Sequence, residues 1–560
     1  MKKRWPWVVG GAVVLLAAVA AYLLIARPPE AELLGLVAGG GERQLRDPMR
    51  PAGTGPRVLV FALDGVGDDE LLAAVRSGRA TAIAGLLGAE REARLFDHGY
   101  AVPGVMSILP STTIAAWASL FTGAGPAHTG VPGNEWFARE EMRFYAPAPV
   151  SVEGIDDALE SYTDDLLGGA LRVPTVYERA DVRAYVSLSH IHRGADLLIV
   201  PAADALGDLI AAALSGVSEG DESVEQEAYI GLDLAAVDNV ADAIGTHGLA
   251  DLQVIYFPGV DLYTHVAPEP LARQRGYVTE AIDPAIARIL ELYRRAGALD
   301  DTYVLFVADH GHTPVLTDDR HALSAEGDDE PVAVLEQVGF RVRPLKLALE
   351  DDERNFQATV AYQGAFAYVY LADRSTCAAE ASTCDWMRPP RLEEDVLPVV
   401  RAFDAANRTG AGVPALQGTL DLILARTPRP PTEPALPFQV WDGSKLVPIG
   451  DYMARNPRPD LLDFERRLES LAAGPYGHRA GDVLLLARSG SSRPIDERFY
   501  FSAPYRSWHG SPDAQDSRIP LLIAHARENG TMLRARVRAA IGAQPRQEDI
   551  TALILALLGR

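Results

Sequence analysis

Three short apolar runs, each followed closely by an acid, constrain this chain more than any other feature. Val58-Leu59-Val60-Phe61-Ala62-Leu63 stops at Asp64-Gly65, Tyr303-Val304-Leu305-Phe306-Val307 leads into Asp309-His310-Gly311, and Gln253-Val254-Ile255-Tyr256-Phe257 precedes Asp261-Leu262-Tyr263-Thr264-His265. Continuous apolar runs of this length suit strands buried on both faces. Tyr185–Leu188, Val483–Leu486 and Ile519–Ile523 are runs of the same kind, and between the strands lie helical patterns. In the one at 271–295, Ile282, Ile286, Ile289, Leu290 and Tyr293 recur on one face. The alternation predicts an α/β fold, a mostly parallel sheet covered by helices on both faces, with its chemistry beyond the carboxyl ends of the strands.

The remainder of the chain divides around that core. From Trp5 to Ala26 no residue is charged, Lys2-Lys3-Arg4 precedes and Arg27 follows; at about 1.5 Å per residue such a stretch covers a hydrocarbon layer of about 30 Å. The basic flank keeps residues 1–6 in the cytoplasm, makes 7–26 a transmembrane anchor and sends the rest across, to the periplasm or the extracellular side. Ala18-Val19-Ala20 offers the alternative of a cleaved signal, although the apolar run continues past it. Residues 27–55, with Pro28-Pro29 and Gly39-Gly40-Gly41, read as a linker. The catalytic core is expected at 56–325 and 476–560, with a smaller α+β insertion at 326–475, where the texture turns acidic and proline-rich. Cys377 and Cys384, the only cysteines, suggest a local disulfide if the region is exported.

With 52 basic and 76 acidic residues the net charge is −24. That charge repels nucleic acid, so no nucleic-acid partner is expected, and an anionic substrate must be captured by local cations.

Pro110-Ser111-Thr112-Thr113 opens an apolar helical run, Ile114 to Phe121. Hydroxyls at that place are often simple caps, but a helix N-terminus also offers free N–H groups and a positive dipole end, where an alkoxide or an anion is stabilised. Asp64-Gly65 alone could be a turn, and Asp261 with His265, four apart on one helical face, could be a surface hydrogen bond. Asn134, in Gly130-Val131-Pro132-Gly133-Asn134, could likewise be a turn residue.

Taken together, these motifs resemble the alkaline phosphatase superfamily, and most closely its nucleotide pyrophosphatase/phosphodiesterase branch, where a Thr after a Pro-Thr-x pattern is the nucleophile. Thr113 matches that Thr. The resemblance implies one metal held by Asp64, Thr113, Asp309 and His310, a second held by Asp261, His265 and His509, and Asn134 holding a non-bridging phosphate oxygen together with the nucleophile's N–H. His478, before the 483–486 run, competes with His509, which stands in Trp508-His509-Gly510 before Ile519 and fits the family order better. His312, His321 and His525 are not needed as ligands. Absence of a Cys-x-Pro-x-Arg motif separates the chain from sulfatases.

The resemblance implies a two-zinc hydrolase of phosphodiesters or nucleotide pyrophosphates, with other divalent ions conceivable, acting on a small phosphate ester through a phospho-threonine-type intermediate. A phosphate monoesterase is the alternative, and it would need extra positive charge such as His192-Arg193. A non-catalytic surface protein with the same fold is a third reading. Selectivity would lie with the insertion and with residues such as Trp117 and Trp136.

Overall fold

The strand Arg57–Leu63 is the axis of the main sheet, and its side chains show why. Val58, Val60 and Ala62 enter one buried cluster while Leu59, Phe61 and Leu63 enter the other, the alternation a strand imposes when both faces are covered. The computed structural model describes residues 41–148, 161, 165–200, 222–324, 330–344, 353–379 and 382–560. The expected anchor at 7–26 lies outside them, and among the described residues no helix is long and apolar enough to cross a membrane.

Ten strands form the main sheet, in the order Glu42–Gln44, Leu197–Ile199, Ala184–Ser187, Leu252–Phe257, Arg57–Leu63, Thr302–Val307, Leu521–Ala524, Gly99–Ala101, Leu95–Phe96, Glu90–Glu92. The five from Leu197–Ile199 to Thr302–Val307 run parallel. Beyond them the sheet departs from the parallel expectation: Leu521–Ala524, the three strands past it and Glu42–Gln44 on the far edge all pair antiparallel. The segment 90–101 reverses twice over a stretch too short for a crossover, which forces antiparallel pairing there.

Helices cover both faces. Thr113–Thr122, Val176–Ala180, Gly530–Ile541 and Asp549–Leu557 pack on the Val58 side. Asp68–Arg76, Thr81–Leu87, Glu222–His247 and Asp283–Arg295 pack on the Leu59 side. The folded body starts before residue 56, because Glu42–Gln44 pairs with Leu197–Ile199 and the Arg50 guanidinium lies 3.0 Å from the buried Asp196 carboxylate.

A second, antiparallel sheet takes the order Ala358–Gln363, Phe366–Leu371, Val483–Ala487, Leu420–Ala425, Gln439–Trp441, Leu446–Pro448. Val483–Ala487, expected among the core strands, belongs here; an apolar run reports burial on two faces but not which sheet supplies it. One face carries Glu330–Gln337 and Leu397–Thr409. The other, with Tyr368, Tyr370 and Leu484, packs against Phe137 and Phe144 and joins this sheet to the main body. Cys377 and Cys384 are bonded to each other.

Candidate metal centre and active site

Three adjacent parallel strands end at one edge of the main sheet, Leu63 opposite Phe257 and Ala62 opposite Val307. Asp64 therefore emerges there directly, Asp309 and His310 follow Thr302–Val307 after one residue, and the helix Gly259–Val266 brings Asp261 and His265 to the same edge on a single face. A short antiparallel ladder pairs Thr313 with Trp508 and Pro314 with Ser507, which draws His509 alongside His310. Thr113 is the first residue of the helix Thr113–Thr122. All seven residues named from the sequence as candidate ligands are thus brought together, each 6% exposed or less.

One donor atom from each residue lies within 4.8 Å of the others in two groups of these ligands, Asp64, Asp309 and His310, and Asp261, His265 and His509; Asp261 and His310 form a third such group with His312. The Thr113 hydroxyl lies 3.2 Å from His310 Nε2. His310 Nδ1 is 3.1 Å from the Gly311 carbonyl, His265 Nδ1 is 2.9 Å from that of Ser507, and His509 Nδ1 is 3.0 Å from that of Ser111. A carbonyl only accepts, so each Nδ1 carries a proton and Nε2 is the ring nitrogen left to ligate. Among the described residues, Asp64 Oδ1, Asp309 Oδ2, His265 Nε2 and His509 Nε2 are buried and make no hydrogen bond, their nearest charged contacts lying within the cluster itself, Asp309 Oδ2 3.1 Å from His310 Nε2 and His265 Nε2 3.4 Å from Asp261 Oδ2. Buried polar atoms are rarely left so. Four orphaned acceptors from carboxylates and imidazoles are the donor set that suits zinc and related divalent ions, and the residues fit the metals that the motifs imply.

The electrostatics agree. Burial, then the nearby Asp309 and Asp261 carboxylates, push Asp64 well above the usual carboxyl range, and burial pushes Asp309 up to about 7. Burial opposes ionisation of Asp261 as well, but His265 and His312 outweigh it and hold its pKa well below normal. Burial and the neighbouring His310 depress His509, keeping its imidazole neutral. Three acids so close together are electrostatically costly without positive charge among them. The Tyr256 hydroxyl donates to Asp64 Oδ2 and the Gly65 N–H to Asp309 Oδ1, the latter at 3.0 Å, so each carboxylate keeps one oxygen for the centre.

Asn134 is placed beside the nucleophile's helix. Its Oδ1 accepts the Ile114 N–H at 3.0 Å, so Asn134 caps the first turn and its NH2 group remains the free donor. Thr112, at the N-cap position, makes no side-chain cap, and its buried hydroxyl has no partner among the described residues. The three-hydroxyl cluster is therefore not a capping device.

His312, set aside from the sequence, is part of the site. Its Nε2 lies 2.6 Å from Asp261 Oδ1 and its Nδ1 3.0 Å from Ser507 Oγ, so it orients a candidate ligand. The signal was its place two residues after His310 in an extended segment, where alternate side chains share a side. His478 lies elsewhere, 3.0 Å from Glu140. Arg193 spends its guanidinium on the Gly168, Leu171 and Val173 carbonyls and on Glu178, and His192 is buried against Asp165. Trp117 packs on Phe121 and Tyr256, and Trp136 stacks on Tyr145 at 4.7 Å, both as core residues.

A family model described as type I phosphodiesterase / nucleotide pyrophosphatase matches residues 58–374, more than half of the chain. The chain belongs to this family. It is accordingly a metal-dependent phosphoester hydrolase of the alkaline phosphatase superfamily. No curated protein matches it. Among solved structures it is similar to murine ectonucleotide pyrophosphatase/phosphodiesterase 5 in complex with AMP, at 13% identity and TM-score 0.47 over 90% of this chain and 95% of that one. It is also similar to phosphonoacetate hydrolase from Sinorhizobium meliloti, at 15% identity and TM-score 0.43 over 90% and 96%.

Proposed function

We propose that this phosphoester hydrolase cleaves phosphodiester or nucleotide pyrophosphate bonds with Thr113 as nucleophile. The supporting observation is the set of buried atoms that make no hydrogen bond, Asp64 Oδ1, Asp309 Oδ2, His265 Nε2 and His509 Nε2, in the cluster that includes Thr113 and His310. Asp64, Thr113, Asp309 and His310 would hold one divalent cation and Asp261, His265 and His509 the other, zinc by preference, supplying positive charge that favours the Thr113 alkoxide and neutralises the departing oxygen.

The chain's own residues do the rest. Thr113 Oγ1 gives up its proton, by way of solvent, to the departing ester oxygen and attacks phosphorus in line with that oxygen. The bond from phosphorus to the leaving group breaks, its electron pair departs with that oxygen, and a phospho-threonine ester remains. The Thr113 N–H and the NH2 of Asn134 hold a non-bridging oxygen as charge gathers on it. Water then attacks the same phosphorus from the vacated side, the bond to Thr113 breaks with its electron pair going to Oγ1, and the proton given up by the attacking water restores the hydroxyl.

Diesters are favoured over monoesters by one observation: the Arg193 guanidinium is consumed by backbone carbonyls and Glu178, which removes the cation a monoester dianion would draw on. The uncharged N-terminal stretch leads to the further reading that the enzyme is held at a membrane with its catalytic body outside the cytoplasm.

The test is a metal-stripped protein supplied separately with zinc, manganese and magnesium and assayed on an aryl diester, a dinucleotide pyrophosphate and an aryl monoester. Zinc-restored turnover with diester or pyrophosphate preferred is expected. Full activity without metal, or a strong preference for the monoester, overturns the proposal.

A further inference from the structure

The second sheet meets the candidate site at the turn between Ala358–Gln363 and Phe366–Leu371. Gln363, 1% exposed, accepts the Asn134 N–H on its Oε1 at 2.7 Å and donates from its Nε2 to the Glu135 carbonyl. The Tyr362 N–H bonds the Glu135 carboxylate at 2.5 Å, and the Tyr368 hydroxyl donates to the Pro132 carbonyl at 2.6 Å. The loop 132–135 is thus tied to one hairpin by at least four hydrogen bonds, through main-chain and side-chain groups alike. A Cβ on Gly133 would lie 2.0 Å from Gln363 Oε1, so the loop's glycine is what lets the glutamine approach.

The turn is itself immobilised. Gly364 has φ +64°, and a Cβ there would lie 2.2 Å from the His509 carbonyl and 2.4 Å from Trp508 Nε1, while the Ala365 N–H bonds the same His509 carbonyl at 3.3 Å. A site residue needs its orientation fixed to a fraction of an ångström, and hydrogen bonds from a rigid neighbouring element achieve that. Among the described residues, Asn134 has only its Ile114 contact on the main-sheet side.

We infer that Gln363 is a positioning residue for the reaction: it holds Asn134 so that its NH2 meets the phosphate oxygen in the transition state, and the second sheet is needed for catalysis through this contact. The inference rests on Asn134 having the role proposed above.

The experiment is a double-mutant cycle on the full-length metal-loaded enzyme, reading kcat, KM and metal content on a diester. Gln363→Met keeps the side-chain shape and removes both hydrogen bonds; it should lower kcat by about 10- to 100-fold with little change in KM or bound metal. Gln363→Glu, which keeps the acceptor for the Asn134 N–H, should recover part of that loss. On an Asn134→Ala background Gln363→Met should cost nearly nothing more, because the group it positions is gone. Tyr368→Phe deletes one hydroxyl without altering the packing. It should lower kcat a few-fold and lose that effect on the same background, and it decides the matter if Gln363→Met does not fold. Losses at Gln363 and Tyr368 that add in full to that of Asn134→Ala, or wild-type kcat in both variants, overturn the inference and leave the proposed function standing. Wild-type kcat in Asn134→Ala itself overturns the role of Asn134 and this inference with it.

Discussion

The imidazole rings of His310 and His509 lie face to face, centroids 3.6 Å apart and planes 15° apart. They come from loops 199 positions apart in sequence, one after Thr302–Val307 and one after Ser507–Trp508, and each is fixed by a bond from Nδ1 to a carbonyl. Two rings so placed put their Nε2 atoms into adjoining donor groups, the arrangement that the proposed pair of cations acting on one phosphorus would need.

His509→Ala removes one donor from the group it forms with Asp261 and His265. We expect loss of one metal equivalent and a fall in kcat of about 10³-fold, several kcal/mol of transition-state stabilisation. His478→Ala, at a residue engaged with Glu140, should retain both metals and change activity by less than about tenfold. Elemental analysis and diester kinetics compare the two; similar small effects would leave the third donor of that group unidentified.

Chelation should lower thermal stability as well as activity, since Asp64, Asp309 and Asp261 are buried together and lose the charge that offsets their repulsion. With metal at 100 times its dissociation constant the linkage contributes about 2.7 kcal/mol. Calorimetry with and without zinc checks this, and an unchanged Tm would mean the acids need no cation.

A pH effect is expected from Asp233, which accepts the Gly259 N–H at 3.0 Å and the Tyr277 hydroxyl at 2.9 Å and so holds the start of the helix bearing Asp261. Burial raises its pKa to about 7. For a carboxyl whose folded pKa lies above its unfolded one, the favourable contribution is complete below the unfolded value near 4 and is lost as pH rises through about 7. Asp233→Asn should therefore gain on the wild type across that window, by about 4 kcal/mol from pH 4 to pH 8, about three pKa units at about 1.36 kcal/mol each. Parallel stability curves for the two proteins from pH 5 to 8 would contradict it.

Features encoded over short range were legible in the sequence, and those set by distant partners were not. Burial on both faces writes an uninterrupted apolar run, so the strand ends that carry Asp64 and Asp309 stand out from residue order alone. Asp261 and His265 followed from helical spacing. Residue order does not reveal which sheet a run joins, as Val483–Ala487 shows, or where a polar residue's partner lies: Gln363 meets Asn134 across a separation of 229, and no local pattern encodes that. His312 had a local signal, its spacing from His310. Arg193 looked like free charge because its partners are backbone carbonyls, which every residue has.

The membrane anchor proposed at 7–26 predicts a distinct behaviour. The full chain should stay with membranes through a high-salt wash, because an apolar helix is held by burial that salt does not screen. A soluble form must start before Gly41 rather than at Arg57, since Glu42–Gln44 and Arg50 belong to the fold. Cutting at Arg57 should lower Tm, while a chain starting near residue 38 should keep diester turnover. Release of the full chain by salt alone would count against the anchor.

Trapping the covalent intermediate tests the role of Thr113 without relying on any other residue. Metal-loaded enzyme is mixed with a diester, quenched in acid within milliseconds, digested and analysed by mass spectrometry. An added phosphate ester is expected on the peptide containing Ser111-Thr112-Thr113, localised to Thr113, absent from Thr113→Ala and still formed by Thr112→Ala. An adduct on Thr112 or Ser111, or undiminished turnover by Thr113→Ala, would contradict a threonine nucleophile at position 113.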